Sequence, residues 1–187
     1  MQALTQLPHD IDAVLVKPRE FFSGESHSVR WSIGYTALFM ALQTALSIIF
    51  ADKFYQSWSD VAVRLTGKVL PELQFTTTGY AWLFGAIALA TFIFLIVLMF
   101  VLYLYFRFIG GSKASLADTS TILAYGFTPN YVFGWIPYVS AVSSLWSLCL
   151  VVYGFRVKHP MPLWRFVLLV LVLVLASAAA ILYTLGY

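Results

Sequence analysis

The sequence predicts an all-α polytopic membrane protein: a bundle of five transmembrane helices with interfacial amphipathic helices beside it. Three observations predict it. The 187 residues are 61% hydrophobic and only 10% charged, with a mean hydropathy of +0.85, whereas soluble domains are roughly 25% charged. Such a chain lacks the polar side chains to cover a surface that faces water. The charged residues gather between uncharged stretches, and these have the length of about 20 helical residues that a hydrocarbon core of about 30 Å demands. The ends of those stretches carry tryptophan, tyrosine and basic residues, which belong at the membrane–water boundary.

One membrane domain is expected for this length. It divides into a cytoplasmic or interfacial N-terminal segment, 1–30, and a five-span membrane domain, 31–187. The net charge of +3 and pI of 9.0 are too small and too dispersed for a nucleic-acid partner. In a membrane chain the basic residues set orientation instead. Cys149 stands alone, so no intramolecular disulfide forms. Asp10, Asp12, Glu20 and Glu25 interrupt the first thirty residues. That is not the pattern of a cleavable signal peptide.

In the N-terminal segment, Ile11, Val14 and Leu15 recur at helical spacing after Asp10, a candidate N-cap. Pro18 suits the first turn of a second helix. Phe21 and Phe22 are then expected to lie on the membrane surface as an anchor, with docking of a partner as the alternative. The first span, 31–51, carries no charge, and Trp31 and Tyr35 mark one of its interfaces. Gln43, near its middle, is expected to hydrogen-bond another helix. Segment 52–78 is polar but patterned. Phe54, Trp58, Val61 and Leu65 fall on one helical face, and Asp60 and Arg64 form an i,i+4 pair. It reads as an amphipathic helix on the outer leaflet.

The second span, 79–108, is longer than a bilayer requires and collects Tyr103, Tyr105, Phe106 and Phe108 around Arg107 at its far end. A short polar island follows. Gly110 and Gly111 permit a sharp turn, and Lys113 is placed to meet anionic headgroups. Ser115 and Asp118 have the spacing of a capping box. Asp118 is therefore either a helix cap or a catalytic or ion-binding carboxylate. The segment lacks the GxxxxGK[ST] spacing of a phosphate loop, and no strand precedes it.

The third span, 116–135, is the most polar. Gly126 and Pro129 predict a kink or break near its end, whose freed backbone groups the bundle or water must satisfy. Tyr125, Thr128 and Asn130 lie around that break. A packed, kinked interior helix and a pocket are both compatible with them. The fourth span, 138–155, places Ser140, Ser143, Ser144 and Ser147 on one face, suited to close helix packing. Arg156, Lys158 and His159 end it. His9, His27 and His159 lack metal-ligand spacing. The fifth span, 163–186, begins after Pro162 and carries a small-residue run, Ala176–Ala180.

With five spans and a cytoplasmic N-terminus, the inner segments hold Lys17, Arg19, Arg30, Arg107, Lys113, Arg156, Lys158 and Arg165. The outer ones hold the other three of the 11 basic residues, Lys53, Arg64 and Lys68. This bias predicts a cytoplasmic N-terminus and an external C-terminus.

Four features in this order resemble the Yip domain family, the Ypt/Rab-interacting proteins. They are Pro18 with Phe21 and Phe22; Gly110 and Gly111 with Lys113; Ala124-Tyr125-Gly126 with Pro129; and Trp146 ahead of Gly154. The resemblance runs from about residue 14 to the end. It implies a five-span helical domain with a cytoplasmic N-terminus. Eukaryotic members act in vesicle trafficking by binding prenylated Rab-type GTPases and sibling proteins. The present chain has no long hydrophilic N-terminal region and is similar to the short bacterial members, which implies an inner-membrane location.

Two functions are consistent with these readings. One is a non-enzymatic membrane protein that acts through contacts with membrane lipids, copies of itself or other membrane proteins, needing no cofactor. No catalytic set of nucleophile and base is recognisable. The other is a small transporter or lipid-handling protein with a pocket at the kinked third span. The candidate motif for either is Gly110, Gly111, Lys113, Asp118, Tyr125, Gly126, Pro129 and Asn130.

Overall fold

The computed structural model describes residues 2–24, 26–50, 56, 63–64, 77–109, 115–136, 139–159, 162, 164, 167 and 171. Among the described residues every regular element is helical. They are α1 (Gln2–Val16), α2 (Pro18–Ser23), α3 (Val29–Ile49), α4 (Thr77–Leu104, continued by a π-helical turn, Tyr105–Ile109), α5 (Leu116–Gly126), α6 (Thr128–Phe133) and α7 (Val139–Lys158). Among the described residues three helices are long and apolar enough to cross a membrane: Val29–Ile49, Thr78–Phe108 and Val139–Lys158. They correspond to the first, second and fourth expected spans. Most of segment 52–78, Gly110, Gly111 and Lys113, and most of the fifth span lie outside the described residues.

Local chemistry sets the boundaries. Pro18 opens α2 in its first turn, where its missing N–H costs nothing. Ser28 caps α3 by accepting from the Trp31 amide at 3.3 Å. Ser115 caps α5 by accepting from the Asp118 amide at 3.0 Å, and the Asp118 carboxylate accepts in return from the Ser115 amide at 3.3 Å. The expected capping box is therefore present.

The segment expected as the third span breaks where glycine and proline predict, into α5 and α6 with Phe127 between them. In an uninterrupted helix the Asn130 amide would reach the carbonyl of Gly126. It donates instead to Ser147 Oγ of α7 at 3.0 Å. A backbone donor released at membrane depth is thus satisfied by the serine face of a neighbouring helix, as an apolar surrounding requires.

α5 is the centre of the bundle. It packs against α3, α4, α7 and α1, and every residue from Thr119 to Gly126 is buried. Its hydroxyls explain the position. Lipid offers them no hydrogen bonds, so the polar helix goes inside and the apolar helices surround it. Two glycines allow close approach to α7. A Cβ on Gly126 would stand 2.5 Å from Val151 Cγ2 and 3.2 Å from the Val151 backbone, and one on Gly154 would stand 2.9 Å from Ile122 Cγ2.

Two expectations for the N-terminal segment need correction. Phe22 does not float on a membrane surface. It is fully buried, and its ring lies against Gly154 of α7. Asp10 does not cap α1 but sits inside it and is largely buried. The cause is the same in both cases. α1 and α2 pack on α5, α6 and α7, and Val14 and Phe22 complete the core there.

Candidate functional site: the N-terminal helices on the third span

Tyr125, on the last turn of α5, organises the site. Its ring is packed by Tyr35 of α3 at 4.3 Å between centroids, Phe21 of α2 at 4.8 Å and His27 at 5.0 Å. Its hydroxyl accepts from Trp31 Nε1 at 2.8 Å and donates to Asp10 Oδ2 at 3.1 Å. His27 Nε2 lies 3.6 Å from the same carboxylate oxygen. One layer deeper, the hydroxyls of Tyr35 and Thr128 share a hydrogen bond of 2.7 Å. The buried Asp10 carboxylate thus faces a phenol and an imidazole, the partners a carboxylate needs once removed from water.

A second cluster joins the start of α5 to the end of α7. The Asp118 carboxylate accepts from the Ser26 hydroxyl as well as from Ser115, and it lies 3.6 Å from Lys158 Nζ. Lys158 also donates to the carbonyl of Gly24. Lys158 therefore clasps both the α2–α3 connection and the cap of α5. Beside it His159 is buried, stacked on Phe106 at 4.8 Å. Burial holds the His159 imidazole below its ordinary range, because the charged form loses hydration. Lys158 acts in the same direction, and Asp118 opposes it.

A third cluster lies past the break. Asn130 Oδ1 accepts from Ser144 Oγ at 3.1 Å and Ser143 Oγ at 3.5 Å. Asn130 also borders a cavity of about 290 Å³ between α3, α4 and α6.

The candidate residues therefore separate. Asp118, Tyr125, Gly126, Pro129 and Asn130 share one broken helix, but no common pocket. Tyr125, Thr128 and Pro129 are packed solid, and the cavity touches Asn130 from the side of α3 and α4. Of the packed helix and the pocket weighed as alternatives for this segment, packing describes Tyr125, Thr128 and Pro129, and a cavity lies beside Asn130. Gln43 is corrected as well. Among the described residues it makes no hydrogen bond and lines the same cavity.

Sequence reading missed Asp10, Ser26, His27, Trp31 and Lys158 as members of the site. One signal was present. Asp10 precedes Val14 by four residues, which puts a carboxylate on the apolar stripe of α1. A charge on a buried stripe calls for a partner from elsewhere in the chain.

Among the described residues no group of three or more histidine, cysteine or acidic residues is arranged to hold a metal ion. No curated protein and no solved structure matches the chain. The family model of the Yip1 domain matches residues 13–185, nearly its whole length, from the end of α1 through every later helix. The helical architecture, the apolar spans and this match agree, and the chain belongs to the Yip1 domain family.

Proposed function

We propose that the protein is a non-enzymatic, five-span component of a bacterial inner membrane that works through contacts with other membrane proteins, copies of itself or lipids. The observation that carries this reading is the use of the third span's conspicuous side chains. Asp118 is engaged by Ser26, Ser115 and Lys158, Tyr125 by Trp31 and Asp10, and Asn130 by the serines of α7. These groups hold three parts of the chain together, so they build a rigid surface rather than a reaction centre.

The positions of the basic residues support a cytoplasmic N-terminus. Lys17, Arg19, Arg107, Arg156 and Lys158 lie at one end of α2, α4 and α7, the distribution of an inner face. The third span, as α5 and α6, and a fifth apolar stretch supply the remaining crossings. Nucleic acid is not a partner in this reading.

A second reading, a small transporter or lipid-handling protein, is favoured by the cavity beside Asn130. Native mass spectrometry of protein released from nanodiscs separates the two. A homo-oligomer or a co-purifying membrane protein without retained ligand supports the contact reading. A stoichiometric lipid or small molecule supports the second. Labelling of Tyr125→Cys adds a local check, since an unreactive thiol is expected for a packed helix.

A further inference from the structure

We propose that the cavity between α3, α4 and α6 binds the glycerol-ester region of a membrane lipid. Its volume is about 290 Å³, near the lower end of small-ligand sites. Its polar groups among the described residues are amides and hydroxyls: Gln43, Thr44 and Ser47 of α3, Thr91 of α4 and Asn130 and Tyr131 of α6. Among the described residues, no carboxylate, ammonium, guanidinium or imidazole lines it. At membrane depth a phosphate or ammonium headgroup would have no counter-charge there, so the ligand is uncharged where it touches these groups. Apolar side chains form the other walls, among them Phe84, Ile87 and Phe94.

Among the described residues, two amides that line it find no partners for their side-chain N–H groups. Gln43 makes no hydrogen bond among the described residues. Asn130 accepts through Oδ1 from the serines of α7, and its side-chain NH2 donates to no described residue. Leaving such donors unmatched away from water is unfavourable, and ester carbonyls are the acceptors a bilayer supplies at its polar boundary.

Depth and access agree. Ser47 lies two residues before the end of α3 at Ile49, and Gln43 six residues before it, or about 9 Å at 1.5 Å per residue. The cavity thus begins at the hydrocarbon boundary and runs inward, as a lipid's glycerol and upper acyl chains do. Its rim on α4 includes the exposed Ile87 and Phe94, 52% and 59% accessible. A lipid enters sideways, with its acyl chain against that apolar face.

This inference rests on the second, lipid-handling reading of the proposed function, and its test separates the two. Protein is reconstituted in nanodiscs of diacyl phosphatidylglycerol, or of the diether lipid with the same headgroup and chain length. Lipid retained after release is counted by native mass spectrometry. About one diacyl lipid per chain is expected, with retention of the diether lipid about five- to tenfold lower, the effect of one to two lost hydrogen bonds. Gln43→Leu should lower diacyl retention by a similar factor. Thr91→Trp, a change on the exposed face of α4 that tolerates bulk, should block the cavity. Gly85→Leu, also on that face, should have no effect. Equal retention of diacyl and diether lipid, or retention unchanged in Gln43→Leu and Thr91→Trp, would overturn the site and leave the lipid-handling reading standing. A wild-type chain that retains no lipid would overturn both.

Discussion

α4 and the α5–α6 pair are opposite solutions for a helix in a bilayer. α4 is apolar along its length, and only 11% of its most apolar window is buried inside the bundle. α5 is rich in hydroxyls, and all of it from Thr119 onward is buried. In water the two would exchange places. In lipid an apolar surface needs no cover, whereas each hydroxyl and each freed backbone group needs a partner within the protein. The most polar helix therefore marks the core, and substitutions should be costly in α5–α6 and nearly silent on the exposed face of α4.

The largest contrast is expected between two glycines. A Cβ on Gly126 meets Val151 at 2.5 Å, whereas one on Gly85 meets nothing within 4 Å. Gly126→Leu should destabilise by about 3 kcal/mol or more through overpacking, and Gly85→Leu by less than about 0.5 kcal/mol. Thermal unfolding in nanodiscs checks the pair, and equal melting temperatures would break the comparison.

Tyr125→Phe comes next. It keeps the ring stack but deprives Trp31 and the Asp10 carboxylate of a partner, for an expected cost of about 1–3 kcal/mol. Amide exchange should rise in α1 before α4, because the link between the N-terminal helices and α5 is what has been cut. Asp118→Asn should cost about 0.5–2 kcal/mol, mostly through the cap. The ion pair with Lys158, being partly solvated, adds little.

The pH dependence should come from His159. Its pKa in the folded chain lies below the ordinary value of 6.5. The folded state then binds fewer protons, so this contribution is complete above about pH 6.5 and is lost as pH falls from there through the folded value. Denaturant titrations at pH 7.5 and 5.5 should show the loss, and His159→Phe should abolish it. The smallest effect is expected at Tyr131, whose buried hydroxyl has no partner in good hydrogen-bond geometry among the described residues. Tyr131→Phe should be neutral or stabilising by up to about 1 kcal/mol.

What could be read in advance follows from the range of each interaction. The cap at Ser115 and Asp118, the break at Gly126 and Pro129 and the serine face of the fourth span are local patterns, and all three are present in the structure. The seat of the N-terminal helices is not local. Asp10 and Tyr125 are 115 positions apart, and Trp31 and Tyr125 are 94 apart. Periodicity shows that Phe22 belongs to an apolar surface, but not whether lipid or Gly154 covers it. Gln43 was misjudged for a related reason. A mid-span amide needs a partner, but its sequence position does not say whether another helix or a cavity stands opposite.

The clasp at Lys158 also constrains how the protein is made. Gly24 and Lys158 are separated by 134 positions. At about 5–20 residues per second, a ribosome needs on the order of ten seconds to cover that interval. For most of it, the ring of Phe22 and the carboxylate of Asp10 have been synthesised, while Gly154 and Tyr125, against which they pack, have not. The nascent N-terminus must wait, shielded by the membrane surface or by a chaperone, until α7 has been made. The amphipathic face that reads as a surface anchor suits that waiting stage, and the finished protein then covers it.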